Sequence, residues 1–444
     1  MKTVFLFVYN KSYVSDLFRD DYIRYLSNKY KVVVFLDKLD NANYQSENIT
    51  YIKFPLNTGK FWTLFDTLLR TGLIRRFDDF MGIKTRHLRN KHNDWRRNLL
   101  RRVSRFFPKN LFNPNFFFFL ERIFTPNVRL FKEYKEKYNP TLILTSGPGF
   151  NFMETWAILC AKKFKIPSVA TYFSWDNLTI YARAVRKTDY IVCWNDIVKK
   201  EAIDVHKYKE DEVFVSGIIR FDHFFKKENL GTREEFLRNK GLDPAKKTIL
   251  IATATDVDPD LYQSVARTVK NPNVNVYIRV HPLDRISKYD EFKKDKNVYI
   301  ESAGTISQDK KEKGWQTSMN DNDRINVKKT LKFCDLGINR ASTMTLDTWA
   351  CNVNMPIVNL NFKKSRIVPV VDYEHYKPIV DAGAVRVAHN IDEVMKYTKM
   401  YLNDLSIDLD NRKKIFNTLI KFNDGLSYKR SVDFLNKVVK YRNL

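Results

Sequence analysis

Residues 274–280 form a β-branched run that reads as a strand, and Arg279-Val280-His281-Pro282 closes it. Ligands of open α/β sheets bind beyond the carboxyl ends of strands, so Arg279 and His281 are candidates to meet one. The imidazole could donate to a phosphate oxygen, with Pro282 fixing the turn that presents it. The alternative is a structural histidine. Residues 336–347, Leu-Gly-Ile-Asn-Arg-Ala-Ser-Thr-Met-Thr-Leu-Asp, read as a strand, a small-residue loop with adjacent hydroxyls, and a helix start. Backbone amides at such a start suit a diphosphate, with Arg340, Ser342 and Thr343 beside them. Asp347, one turn further, could accept from ribose hydroxyls. The competing role for Ser342 or Thr343 is a simple N-cap. The loop at 252–256 adds Thr253 and Thr255 to the same candidate phosphate site.

In the first half, Ser146-Gly147-Pro148-Gly149 joins a strand to a helix, and Gly147 and Gly149 are candidates for close approach by an acceptor. The next strand ends in Phe173-Ser174-Trp175-Asp176-Asn177-Leu178-Thr179. Asp176, partly shielded beside Trp175, could act as general base on an acceptor hydroxyl while the ring stacks on a sugar, with Asn177 adding a polar contact. An Asx turn capping the next helix is the other reading.

Positioning these loops requires a particular scaffold. Short apolar runs at 4–9, 31–36, 141–145, 168–173, 190–194 and 212–215 alternate with helical stretches, and a second series follows at 248–252, 274–280, 298–301, 336–339, 356–360 and 384–387. That alternation predicts parallel α/β sheets. At 444 residues, two Rossmann-like domains are expected: 1–220, holding the acceptor, and 221–444, holding the nucleotide donor and ending in an amphipathic helix. Apolar Val432, Leu435, Val438 and Val439 mark that helix.

Lys and Arg total 77 against 51 Asp and Glu, a net charge of +26 that favours polyanionic partners. Twelve basic residues against three acidic ones fall between 75 and 109, followed by the phenylalanines at 116–119 and 124. This basic-aromatic insertion, at about 75–125, has the composition of a surface that lies on anionic lipid; a solvated face followed by a core helix is the alternative. No nucleic-acid-binding motif accompanies the charge, so nucleic acid is not an expected partner. The four cysteines lack metal-ligand spacing, and no window is apolar enough for a membrane span. Cytoplasmic residence, peripheral on the inner face of a membrane, is the expectation.

The segments 173–179, 188–195, 213–217 and 221–222, with Glu201, resemble bacterial surface-polysaccharide glycosyltransferases of the GT-B superfamily. The second half resembles the nucleotide-binding domain of CDP-glycerol glycerophosphotransferases: Arg279-Val280-His281-Pro282 is similar to their Arg-x-His-Pro signature, and Asp424-Gly425-Leu426-Ser427-Tyr428-Lys429-Arg430 to their Asp-Gly-x-x-Ser-x-Arg motif. Asp347 stands where glutamate is common, Thr343 replaces a serine, and Asn354 a glycine.

The resemblance implies a GT-B α/β fold whose domains face a central cleft, and a metal-independent glycosyltransferase of the EC 2.4 class. It would move a sugar from a nucleotide sugar to a surface polysaccharide, such as capsule or lipopolysaccharide, or to a lipid-linked glycan. The phosphates would lie on His281, Ser342 and Thr343 and the ribose on Asp347, with no cofactor beyond the substrate nucleotide. A CDP-glycerol-type polyol-phosphate transferase, a UDP-sugar 2-epimerase-like isomerase and a non-enzymatic membrane adaptor are the alternatives.

Overall fold

A computed structural model describes residues 1–9, 18–38, 44–56, 102–103, 106, 108, 114–171, 174–180, 186–254, 259–281, 284–302, 305–306, 317–318, 321–362 and 370–441. The chain divides into two compact units, residues 1–220 with 426–444, and residues 221–425.

Unit 1 is built on seven strands: β1 (Thr3–Val8), β2 (Lys31–Leu36), β3 (Ile49–Lys53), β4 (Pro140–Thr145), β5 (Ser168–Thr171), β6 (Tyr190–Cys193) and β7 (Val213–Val215). All pair in parallel, in the order β3-β2-β1-β4-β5-β6-β7. β1 is buried along its whole length, so its sequence, Thr-Val-Phe-Leu-Phe-Val, is continuously apolar after Thr3 instead of alternating. Its two faces differ in kind. Phe5 and Phe7 join Phe35, Phe131 and Trp156 in an aromatic layer under the helix Phe152–Phe164, with Phe7 stacked on Phe35 at 4.4 Å between centroids.

The opposite face, Val4, Leu6 and Val8, packs with Tyr22 and Leu26 and with Val432, Leu435, Val438 and Val439 of the final helix, Ser427–Tyr441. That helix was expected with the second domain. It belongs to unit 1 because its apolar stripe completes this core, and Tyr25 Oη and Lys29 Nζ both donate to its Asp433.

Unit 2 opens with a capping box, in which Thr232 Oγ1 accepts from the Glu235 amide at 3.1 Å and Glu235 Oε2 from the Thr232 amide at 3.0 Å, starting the helix Arg233–Asn239. Its main sheet comprises β8 (Lys247–Ala252), β9 (Val274–Val280), β10 (Val298–Ser302), β13 (Leu336–Asn339), β14 (Ile357–Leu360) and β15 (Arg386–Ala388). A separate antiparallel ribbon joins β11 (Thr305–Ile306) to β12 (Thr317–Ser318). The main sheet is parallel, ordered β10-β9-β8-β13-β14-β15. Fully buried Arg412 donates to the carbonyls of Val353, Asn354, Leu405 and Ile407, fixing the entry to β14.

Each main sheet has one point at which the chain reverses its direction of travel across the strands: between β1 and β4 in unit 1, and between β8 and β13 in unit 2. Crevices beyond the strands' carboxyl ends at such points are where open α/β sheets bind ligands. Most of the basic run at 75–109 lies outside the described residues, whereas the helix Pro114–Ile123 that follows it is described.

Candidate active site

The reversal in unit 2 places the loops after β9, β8 and β13 side by side along one sheet edge. The register is tight: Ala252 pairs with Arg279, and Ile251 with Ile338. Thr253, the first residue beyond β8, donates its amide to the Arg279 carbonyl at 3.0 Å, and its Oγ1 accepts from the His281 amide at 2.8 Å. The Asp284 amide donates to the His281 carbonyl at 2.8 Å, closing a turn around the histidine.

Asp284 anchors that turn. Its carboxylate receives Lys288 Nζ at 2.6 Å and Tyr289 Oη at 2.8 Å, with further hydrogen bonds from the Arg285 amide and Thr253. Burial opposes its ionisation, but these donors outweigh burial and hold the carboxyl below its ordinary pKa. Burial pushes the half-buried His281 imidazole below its ordinary pKa, an effect the Asp284 charge partly offsets. The neutral ring, one donor and one acceptor, is therefore favoured near pH 7. Arg279 lies within the sheet, buried, and its guanidinium pairs with Glu301, its neighbour on β10.

Beyond β13 the chain turns at Ala341, whose φ of 45° is left-handed and costs a residue with a Cβ about 1 kcal/mol or more. A buried polar network underlies this turn. Asn339 Oδ1 accepts from Asn359 Nδ2 at 2.9 Å and from the Ser342 amide at 3.3 Å, while Tyr376 Oη donates to Asn359 Oδ1 at 2.8 Å and lies 2.8 Å from Thr345 Oγ1. Arg340 reaches back to Asp260 at 2.6 Å, tying the turn to the helix Pro259–Val269 that follows β8. Ser342 Oγ accepts from the Met344 amide at 3.2 Å, a capping bond that leaves its hydroxyl proton free to be donated. Ser342, Thr343 and Asp347 are half-buried at the start of the helix Met344–Cys351, and Thr255 lies outside the described residues.

In unit 1, Ser146-Gly147-Pro148-Gly149 follows β4 at that sheet's reversal and wraps a buried carboxylate. Glu154 accepts from Ser146 Oγ at 2.8 Å and from the Phe150 amide at 3.0 Å, and burial raises its pKa. A Cβ on Gly147 would stand 2.9 Å from both Glu154 carboxylate oxygens; one on Gly149, whose φ is +88°, would stand 2.7 Å from the Arg186 carbonyl. Gly149 is thus demanded by packing of the chain on itself, whereas at Gly147 the obstacle is the end of the Glu154 side chain. Trp175 is only 4% exposed, so in this conformation its ring presents almost no face for stacking. Asp176 begins a turn through its main chain, its carbonyl accepting from the Thr179 amide and hydroxyl at 3.1 Å, while its Oδ1 is buried with no hydrogen-bond partner among the described residues. Asn177 starts the short helix Asn177–Ile180.

The structure therefore joins Thr253 to His281 directly, sets Arg340, Ser342 and Thr343 on the neighbouring loop, and leaves Asp176, Gly147 and Gly149 in the other unit. Sequence reasoning passed over Asp284, Asp260, Tyr376 and Glu154. Two local signals were available: an acid three residues after His281, and the capping pattern Asn151-x-x-Glu154. Among the described residues no group of three or more His, Cys, Asp and Glu side chains is placed to hold a metal ion. A cavity of about 570 Å³ lies elsewhere in unit 2, lined by Phe236, Lys240, Asn326 and Lys329 among others, and touches none of these loops.

Solved structures share this architecture along nearly the whole chain. UDP-GlcNAc 2-epimerase from Neisseria meningitidis, bound to UDP-GlcNAc, matches with a TM-score of 0.55 at 11% identity, over 98% of this chain and 100% of that one. A glycosyltransferase from Rickettsia africae matches with a TM-score of 0.50 at 13% identity, over 99% of both chains. The fold is GT-B. The wall teichoic acid polymerase TagF shares it with a TM-score of 0.52 at 11% identity, over 99% of this chain and 89% of that one. No protein-family model matches the sequence, and no curated protein matches it.

Proposed function

We propose that this chain is a nucleotide-sugar-dependent glycosyltransferase acting on a surface polysaccharide or a lipid-linked glycan, in the cytoplasm at the inner face of a membrane. The observation that carries the reading is the row of strand-end loops at the unit 2 reversal, where His281 is held by Thr253 and Asp284 beside the strained turn at Ala341. A nucleotide diphosphate suits this edge. The His281 ring and the hydroxyls of Ser342 and Thr343 serve as donors to the phosphate oxygens, with the positive end of the helix Met344–Cys351 behind them. In transfer, the bond from the anomeric carbon to the diphosphate breaks as the acceptor oxygen bonds to that carbon. Fixed donors stabilise the charge that develops on the departing nucleotide. Asp347 takes the ribose hydroxyls, and Asp176 takes the acceptor proton. Arg279, tied to Glu301, supports His281 through the strand instead of touching the donor.

The test is a calorimetric affinity series over UDP, GDP, CDP and CMP with the parent and His281→Ala, followed by nucleotide-release assays on activated donors. One nucleotide diphosphate is expected to bind well, with acceptor-dependent release slowed about a hundredfold or more in H281A. Release from a CDP-polyol alone would move the assignment to polyol-phosphate transfer. Sugar inversion without release would make the chain an isomerase, and binding of none of these nucleotides would overturn the reading.

A further inference from the structure

The helix Pro114–Ile123 is built inside out. Its acid faces inward: Glu121, 4% exposed, accepts from Arg186 Nε at 2.6 Å and also pairs with Arg186 Nη2. Large apolar residues face outward: Phe116, Phe119 and Ile123, spaced i, i+3 and i+7, are exposed by 53%, 55% and 52%, and Phe124 just beyond by 57%. The helix is also firmly seated, since Thr125 Oγ1 donates to the Glu121 carbonyl at 2.9 Å and Trp156 Nε1 to the Pro126 carbonyl at 2.9 Å. Every exposed phenylalanine among the described residues lies between 102 and 124, and Val103 is exposed there as well.

We infer that this face docks on an anionic lipid surface, with the rings at the acyl boundary. The occupant follows from charge. Arg102 and Arg122 are exposed within this stretch, and the preceding 75–109 carries twelve Lys or Arg against three acids in a chain of net charge +26. A second copy bearing the same excess would be repelled, whereas anionic headgroups attract it and the acyl boundary accepts the rings. The inference concerns unit 1 alone and does not depend on the nucleotide reading.

The full chain is sedimented with vesicles of phosphatidylcholine alone and with about 30% phosphatidylglycerol, at about 0.05 M and about 1 M salt. Binding is expected only with phosphatidylglycerol, weakened by salt, and lowered about tenfold by Phe119→Ser with Phe124→Ser while the melting temperature holds. Phe119→Cys carrying an environment-sensitive fluorophore, with the labelled parent as blank, should shift to the blue on these vesicles. Cys160, Cys193 and Cys334 are buried and Cys351 half-buried, which favours labelling at the new site. Absence of anionic-vesicle binding, a double variant that binds as the parent does, or a probe that stays in water overturns the proposal. So does a lipid-free dimer, seen by sedimentation velocity, that the double variant abolishes.

Discussion

His281 is held by its own main chain, bonded to Thr253 and Asp284, while burial biases its ring toward the neutral form. This has a pH signature. The unfolded chain takes up the imidazole proton near pH 6.5, but the folded chain resists until lower pH. The histidine's contribution is therefore fully present above about pH 6.5 and is lost as pH falls through the lowered folded value. Thermal melts between about pH 7.5 and 5 should show a smaller acid-side loss of stability in His281→Gln than in the parent. At Asp176 the expectation concerns a trade. Its Oδ1 is buried without a hydrogen-bond partner among the described residues, an arrangement that costs about 1–3 kcal/mol. Asp176→Ala should thus leave the melting temperature unchanged or raised, abolish transfer and preserve nucleotide affinity. A variant that loses nucleotide binding yet keeps full turnover at saturation would remove Asp176 from the mechanism.

Among the elements, the glycine loop after β4 shows how a motif suited to a ligand can serve the chain's own packing. Gly149 combines a left-handed φ of +88° with a Cβ position only 2.7 Å from the Arg186 carbonyl. Gly149→Ala should therefore destabilise unit 1 by about 2 kcal/mol or more, measured by denaturant midpoint. From the sequence, this loop could be seen to join a strand to a helix, but not to enclose Glu154, because only the folded chain brings the carboxylate under it. The central strands were legible because strands buried on both faces are dominated by apolar residues, as β1 is after Thr3 and β9 is apart from Asn275 and Arg279. β3 was not: its sequence, Ile-Thr-Tyr-Ile-Lys, belongs to an edge strand with no fully buried residue. His281 and the 340–343 turn were recognisable from their place after strands, while their supports, Asp284, Asp260 and Tyr376, are defined by contacts made at a distance. The inward Glu121 escaped for the same reason, its partner Arg186 lying on a different segment of the chain.

The molecule as a whole is two Rossmann-like units threaded by one chain that leaves unit 1 after residue 220 and returns to it at 426. Val432, Leu435, Val438 and Val439 are buried against the first sheet, each by 95% or more. Ending the chain at Gly425 should destabilise unit 1 by on the order of 5 kcal/mol or more, while unit 2 keeps its own transition in calorimetry. A truncated chain whose unit 1 melted at the parent temperature would show that the final helix is an ornament on that sheet.

This threading also imposes a timetable on synthesis. The ribosome delivers all seven strands of the first sheet by residue 215, but the helix that seals the Val4, Leu6 and Val8 face comes last, after all of residues 221–425. At ordinary elongation rates that interval is roughly 10–40 s, during which the nascent first unit holds an open apolar face. Until the closing segment emerges, that face is the apolar surface most open to wrong association.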